Sequence, residues 1–162
     1  YMHGNSSCRL EALENVQYML PQNISLLCFD FAGCGISGGE YISLGWFERD
    51  DVATIVEHLR DKRRVSTIAL WGRSMGAVTA LLHADRDPSI AGIVCDSPFS
   101  DLKKLVNELA GRFTKLPSFL VSPCLKLVSS SIKSKAKFDI YKLSPIKHVK
   151  NSFIPALFAH GL

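Results

Sequence analysis

The sequence predicts an α/β domain, a mostly parallel central sheet flanked by helices, and three observations lead to it. Four apolar runs, at residues 24–29, 67–71, 90–95 and 153–159, alternate with stretches of helical periodicity. That alternation is the pattern of parallel strands joined by covering helices. With 162 residues, 47% hydrophobic and 21% charged, the chain fits one domain of ordinary globular composition, long enough to bury a core. The third observation is the join at residues 67–82, where an apolar run passes through Gly72-Arg73-Ser74-Met75-Gly76 straight into Ala77-Val78-Thr79-Ala80-Leu81-Leu82. This is a sharp strand-to-helix turn.

From the start of the chain, Tyr1-Met2 reads as the tail of a strand, and His3-Gly4-Asn5-Ser6-Ser7 as the loop that leaves it. Leu10, Leu13, Val16 and Leu20 recur at helical spacing until Pro21 stops the helix. Residues 24–29 form a continuous apolar strand, and Asp30 ties the glycine-rich turn that follows. Val52, Ile55, Val56 and Leu59 give the i, i+3, i+4, i+7 stripe of a helix lying on the sheet, ending in the basic residues 60–64. After the strand at 67–71, the helix from Ser74 to about Arg86 is apolar enough to be buried. The strand at 90–95 leads to a helix marked by Leu102, Leu105, Val106 and Leu109, with Ser100 as its cap. Residues 116–151 contain Pro117, Pro123 and Pro145 and show only broken periodicity. They read as a long, irregular, lid-like insertion ahead of the last strand.

The turn at 72–76 carries the chemistry. A serine hydroxyl held clear of its own backbone, at the positive end of a helix, is set up as a nucleophile once a base takes its proton. Glycines two before and two after Ser74 let strand and helix approach. The loop after His3 supplies the complement. Acyl transfer puts negative charge on the carbonyl oxygen, and backbone N–H groups aimed in advance stabilise it. The expected donors are the N–H groups of Asn5 and Met75. In a parallel sheet ligands bind at the carboxyl ends of the strands, which gathers His3-Gly4, Asp30, Ser74, Asp96 and His160 along one edge. Asp96 is read either as an acid for the site or as the residue that ties the turn at Ser97-Pro98.

Other chemistries find less support. Gly33-Cys34-Gly35-Ile36-Ser37-Gly38 fits the dinucleotide-binding fingerprint, but that motif opens a helix at its third glycine, whereas residues 39–45 add two glycines and no helical stripe. No His/Asp/Glu/Cys cluster has metal-ligand spacing, so no metal or cofactor is expected. Five cysteines, Cys8, Cys28, Cys34, Cys95 and Cys124, suggest free thiols in a reducing, cytoplasmic setting, with Cys28 and Cys95 as small core residues. Asn5-Ser6-Ser7 and Asn23-Ile24-Ser25 match the glycosylation pattern by chance. No apolar stretch reaches the roughly 20 residues of a membrane span.

Net charge is +4 and unevenly spread: residues 1–102 carry 8 Lys/Arg against 13 Asp/Glu, and residues 103–150 carry 11 against 2. The basic segment is either a solvated face or a surface for an anionic membrane or an acidic partner. No nucleic-acid signature accompanies it. None of the five histidines, His3, His58, His83, His148 and His160, has a clear claim to be the base.

Taken together, the elbow, His3-Gly4-Asn5, residues 30–38, Asp96-Ser97-Pro98-Phe99 and Phe158-Ala159-His160-Gly161 resemble the α/β-hydrolase superfamily. The resemblance is to its serine aminopeptidase-like branch, which also contains intracellular acyl-protein thioesterases. It runs through essentially the whole chain, as a partial domain over residues 1–162. The resemblance implies Ser74 as nucleophile, an oxyanion hole from Asn5 and Met75, and an acid and a catalytic His that follow Leu162, with further strands ahead of Tyr1. The reading is of a small-molecule or acylated substrate, an ester, thioester or amide cleaved by an acyl-enzyme route, although the family name suggests peptide substrates; the basic balance of residues 103–150 suits peripheral membrane contact. Residues Phe119, Leu120, Val121, Leu125, Leu127 and Val128 would line an acyl groove. The alternative is a non-catalytic scaffold of the same fold that binds a partner through residues 103–150.

Overall fold

The computed structural model describes residues 1–63, 65–113 and 118–161, with side chains outside 112–122. Elements follow in the order α1 (Leu13–Met19), α2 (Glu48–Arg63), β1 (Ala69–Arg73), α3 (Met75–Ala84), β2 (Gly92–Asp96), α4 (Leu102–Phe113), α5 (Ser118–Lys135), α6 (Pro145–Val149) and β3 (Ala156–Ala159). The three strands are parallel in the order β1-β2-β3. Register sets Arg73 opposite Asp96 and Asp96 opposite Ala159, so the three strand ends lie level at the carboxyl edge. On the other side of β1, Met2 makes a parallel bridge to Gly72, its N–H donating to the Trp71 carbonyl at 2.8 Å and its carbonyl accepting the Arg73 N–H at 3.2 Å.

All ten residues of α3 are buried. Its sequence is almost wholly apolar, as a helix covered on every side must be, and it packs on β1, β2, α2 and α6. One face of it joins Met2, Phe31, Val52, Leu70 and Ile93 in the main core. Val78 and Leu82 face a second cluster with Leu102, Phe138, Ile140 and Leu143. Each such side chain, fully buried, contributes about 1.5–3 kcal/mol relative to exposure. α3 is thus held between the two cores, and the turn at its N-terminus stands on a fully buried helix.

Several elements depart from the sequence reading. Residues 24–29 form no strand: a ladder requires repeated backbone pairing, and this segment receives one such bond, from the Tyr1 amino group to the Leu27 carbonyl at 2.6 Å. Cys28 is accordingly exposed, whereas Cys95 is fully buried, and burial pushes its thiol up to about 12. The first helix is split into a 3-10 turn at Arg9–Ala12, α1 and a second 3-10 turn at Leu20–Gln22, which ends on Asn23 in the left-handed region. Its leucines at 10, 13 and 20 point outward, and Ala12 is the buried residue, small enough for the helix start to lie close on the core.

The insertion is helical rather than irregular. α5 runs through Pro123, and its inward positions, Leu125, Ser129 and Ile132, fall at one face with Ser129 buried among them. A polar residue in the stripe hid the helical period, while Leu116 and Pro117 lie outside the described residues. At the start of α4 the cap is Asp101, whose carboxylate accepts the Lys104 N–H at 3.1 Å, while the Ser100 carbonyl accepts from Ile146. Among the described residues no helix is long and apolar enough to cross a membrane.

Candidate active site

Ser74 joins β1 to α3 with φ 51° and ψ −110°, a backbone region that L-residues avoid and that costs on the order of 1–3 kcal/mol. Two glycines make the bend possible. A Cβ on Gly72 would overlap the backbone of Gly76, and one on Gly76 would overlap the Met2 carbonyl. The bend is pinned by the Ser74 N–H, which donates to the Asp96 carbonyl at 2.7 Å, and by the Ser74 carbonyl, which accepts the Val78 N–H at 3.0 Å. The side chain is half-buried and caps nothing, so among the described residues its hydroxyl, at the helix N-terminus, has no hydrogen-bond partner.

The loop after Met2 reaches this bend through register. Met2 lies opposite Gly72, so two residues further along each chain Gly4 comes beside Ser74, where a Cβ on Gly4 would sit 3.9 Å from the Ser74 Cβ. His3 is fully buried. Its Nε2 accepts the Phe31 N–H at 3.2 Å, so the ring proton lies on Nδ1 and donates to the Gly4 carbonyl at 2.9 Å. The Ser7 N–H reaches the same carbonyl at 3.3 Å. In a planar trans peptide the N–H points opposite to the carbonyl, so fastening Gly4 O from one side aims the Asn5 N–H to the other. Among the described residues neither the Asn5 nor the Met75 N–H donates a hydrogen bond.

Glu11, which the sequence reading passed over, closes the back of the loop. Both of its carboxylate oxygens accept the Gly4 N–H at 3.3 Å, and Oε1 also accepts the Tyr1 hydroxyl at 2.8 Å and lies 3.9 Å from Arg73 Nη1. Burial alone would raise its carboxyl, but hydrogen bonds from Ser7, Tyr1 and Gly4 and the charge of Arg73 outweigh it and hold the group below its ordinary value. The only advance signal was an acid seven residues after the glycine, in a segment read as a helix with an apolar stripe at Leu10, Leu13, Val16 and Leu20.

Asp30 ties the glycine turn as its sequence suggested. Its carboxylate is bound by the Arg9 guanidinium, by the Arg9 N–H at 2.6 Å and by the Ile36 N–H at 3.1 Å. A Cβ on Gly35 would overlap that carboxylate. The turn is followed by α2 only at Glu48, so no helix opens at Gly38 and the dinucleotide fingerprint lacks its anion-binding end. Asp96 ties its own turn, its Oδ1 accepting the Ser97 hydroxyl at 2.8 Å.

The histidines lie elsewhere. His58 is exposed on α2 and His83 is buried in α3, where desolvation pushes its imidazole below the ordinary value against the pull of Asp87. His148 pairs with Asp85 at 2.6 Å, and the Nδ1 of exposed His160 lies 3.0 Å from the Gly161 carbonyl. Among the described residues none hydrogen-bonds Ser74.

A sharp serine bend, a neighbouring glycine loop and a level parallel edge are what a hydrolase fold would present, and comparison with known proteins gives the family and the fold. The family model described as serine aminopeptidase, S33, matches residues 2–152. The chain belongs to this α/β-hydrolase family. The uncharacterized protein YqkD of Bacillus subtilis (strain 168) is 30% identical over 163 residues, covering 98% of this chain and 52% of its own length. Among solved structures, the Pyrococcus furiosus esterase Pf2001 superposes with a TM-score of 0.72 at 26% identity, over 97% of this chain and 58% of that one. A Paleococcus ferrophilus monoacylglycerol lipase shares the fold, with a TM-score of 0.60 at 19% identity over 99% and 71% of the two chains. The chain thus spans little more than half of the first two relatives, and its three-stranded sheet is a partial α/β-hydrolase fold related to esterases and lipases.

Proposed function

We propose that this protein is a serine hydrolase that cleaves an ester or thioester through an acyl-enzyme intermediate on Ser74. The observation that carries the reading is the coincidence of the Ser74 hydroxyl on a strained bend with two amides, Asn5 and Met75, none of which has a hydrogen-bond partner among the described residues. The Ser74 oxygen attacks the substrate carbonyl, the carbonyl oxygen takes up the charge against the two N–H groups, and a base returns the proton to the leaving group. Among the described residues no histidine hydrogen-bonds Ser74, so the reading leaves that base and its acid unassigned. An acylated substrate is favoured over a peptide by an apolar cavity of about 250 Å3 under the carboxyl ends of β2 and β3, lined by Leu81, Phe99, Pro145, Ile146, Val149 and Phe158. Of the residues first expected to line an acyl groove, Phe119, Leu120 and Val121 lie among the undescribed side chains, and Leu127 and Val128 are exposed. Those two, beside Lys126 and Lys133 on α5, support the added proposal of peripheral contact with an anionic membrane.

The test is labelling of the full-length protein with a fluorophosphonate probe and hydrolysis of p-nitrophenyl esters and acyl thioesters. Labelling and turnover are expected in the native protein and absent from Ser74→Ala. Failure to label the native protein, beside a control hydrolase that labels, would refute the reading. A non-catalytic scaffold that binds through residues 103–150 would then take its place.

A further inference from the structure

Resting on the assignment of Ser74 as nucleophile, we infer that Glu11 is a positioning residue that holds the oxyanion loop against the elbow. Its carboxylate stands where three separate pieces of chain meet. It takes the Gly4 N–H with both oxygens at 3.3 Å, it takes the Tyr1 hydroxyl at 2.8 Å, and it lies 3.9 Å from the guanidinium of Arg73. Arg73 in turn lies 3.9 Å from Asp96 at the end of β2. Gly4 immediately precedes Asn5 and Arg73 immediately precedes Ser74, so one carboxylate grips the residue before a proposed oxyanion donor and faces the residue before the nucleophile. The space beside Gly4 shows how close these parts are, since a Cβ there would meet Glu11 Oε2 at 3.7 Å, the Arg73 carbonyl at 3.6 Å and the Ser74 Cβ at 3.9 Å.

Two features separate this from a surface ion pair. The side chain is 13% exposed while that of Arg73 is 58% exposed, so the arginine contributes a screened charge and the loop amide contributes the geometry. The two peptides flanking Gly4 are also fixed from opposite sides. His3 and Ser7 hold the Gly4 carbonyl, and Glu11 holds the Gly4 N–H. Releasing Glu11 frees the peptide between His3 and Gly4 to rotate and lets the Asn5 N–H drift from its aim. It also explains why the donor is the Asn5 amide: the Gly4 amide is already engaged.

Loss of an oxyanion donor costs about a hundredfold to a thousandfold in kcat, and a misplacement of about 1 Å about a hundredfold. With His3 and Ser7 still in place, Glu11→Ala is expected to lower kcat about tenfold in the full-length enzyme, with KM within about twofold. Rates are taken per site titrated with the fluorophosphonate, so that unfolded protein does not count. Glu11→Gln keeps an acceptor oxygen and is expected to retain kcat within about threefold. Glu11→Asp keeps the charge but shortens the reach, and its kcat is expected below that of the Gln variant; this pair carries the test if the Ala variant does not fold. A Glu11→Ala enzyme with native kcat per titrated site, or an Asp variant faster than the Gln variant, would overturn the inference. A native protein without Ser74-dependent turnover would instead overturn the parent assignment, and the role of Glu11 with it.

Discussion

Replacing Ser74 by Gly and by Ala separates the strain of the elbow from its chemistry. Both variants lack the hydroxyl, and both keep the backbone bonds to Asp96 and Val78, so they differ in one Cβ atom at φ 51° and ψ −110°. At an ordinary position Gly is the less stable of the two, by about 0.4–1 kcal/mol of unfolded-state entropy. Here the alanine Cβ must occupy a disfavoured region at a cost on the order of 1–3 kcal/mol. Relief exceeds the entropic penalty by about 1 kcal/mol, taking the middle of each range, so Ser74→Gly is expected to be the more stable variant by that amount. Urea unfolding of the two full-length proteins, followed by circular dichroism, measures the difference directly. A glycine variant equal to or less stable than the alanine variant would refute the claim that the bend stores strain. The backbone would then have relaxed, and the hydroxyl would no longer stand clear of the helix.

The remaining predictions concern the contacts that build this bend and the glycine turn tied by Asp30. Gly76→Ala sets a Cβ into the Met2 carbonyl, a backbone atom that cannot step aside, and is expected to destabilise by about 3 kcal/mol or to abolish soluble folding; chemical denaturation measures it. Asp30 supplies a pH dependence. The Arg9 N–H first, then the Ile36 N–H and the Arg9 guanidinium, hold its carboxyl below the ordinary value. Its stabilisation is therefore present above the unfolded carboxyl value of about 3.9 and lost as pH falls through the lower folded value. The stability gap between native protein and Asp30→Asn is expected to be constant from pH 7 to 5 and to narrow below pH 4. Urea titrations at pH 7, 5 and 3 measure it, and a gap that widens in acid would contradict the assignment.

What the sequence disclosed and what it hid follow from the kind of interaction at each place. The elbow was legible because a strand-to-helix turn of this sharpness tolerates only glycine at 72 and 76, and the buried helix after it was legible because every side of α3 is covered. Asp30 was legible through its local bond to the Ile36 N–H, its partner Arg9 being 21 residues away, and Val52 and Val56 through the helical period. Residues 24–29 misled because an apolar run by itself fixes neither pairing nor burial: the segment joins no ladder, and Ile24, Leu27 and Cys28 are exposed. Leu10, Leu13 and Leu20 misled because helical spacing does not say which face meets the core, and there the small Ala12 does. α5 was hidden by the buried Ser129 in its inward stripe. Glu11 was hidden because its partners, Tyr1, Gly4 and Arg73, come together only through the bridge from Met2 to Gly72.

That bridge explains why the closeness of the loop at Gly4 to the bend at Ser74 could be expected from sequence. The proximity of Gly4 to Ser74 depends on Met2 pairing with Gly72 and on Gly76 leaving room for the Met2 carbonyl. Both are backbone approaches that require the absence of a side chain, and an absent side chain is plainly written in a sequence as glycine. A slip of one residue in this register would bring His3 rather than Gly4 beside Ser74 and turn the Asn5 amide away, since successive residues of an extended chain face opposite sides. Three glycines and a two-residue bridge therefore set the geometry that two free amides and one hydroxyl share. The side chains around them, Glu11, His3 and Asp30, act by keeping that geometry from relaxing.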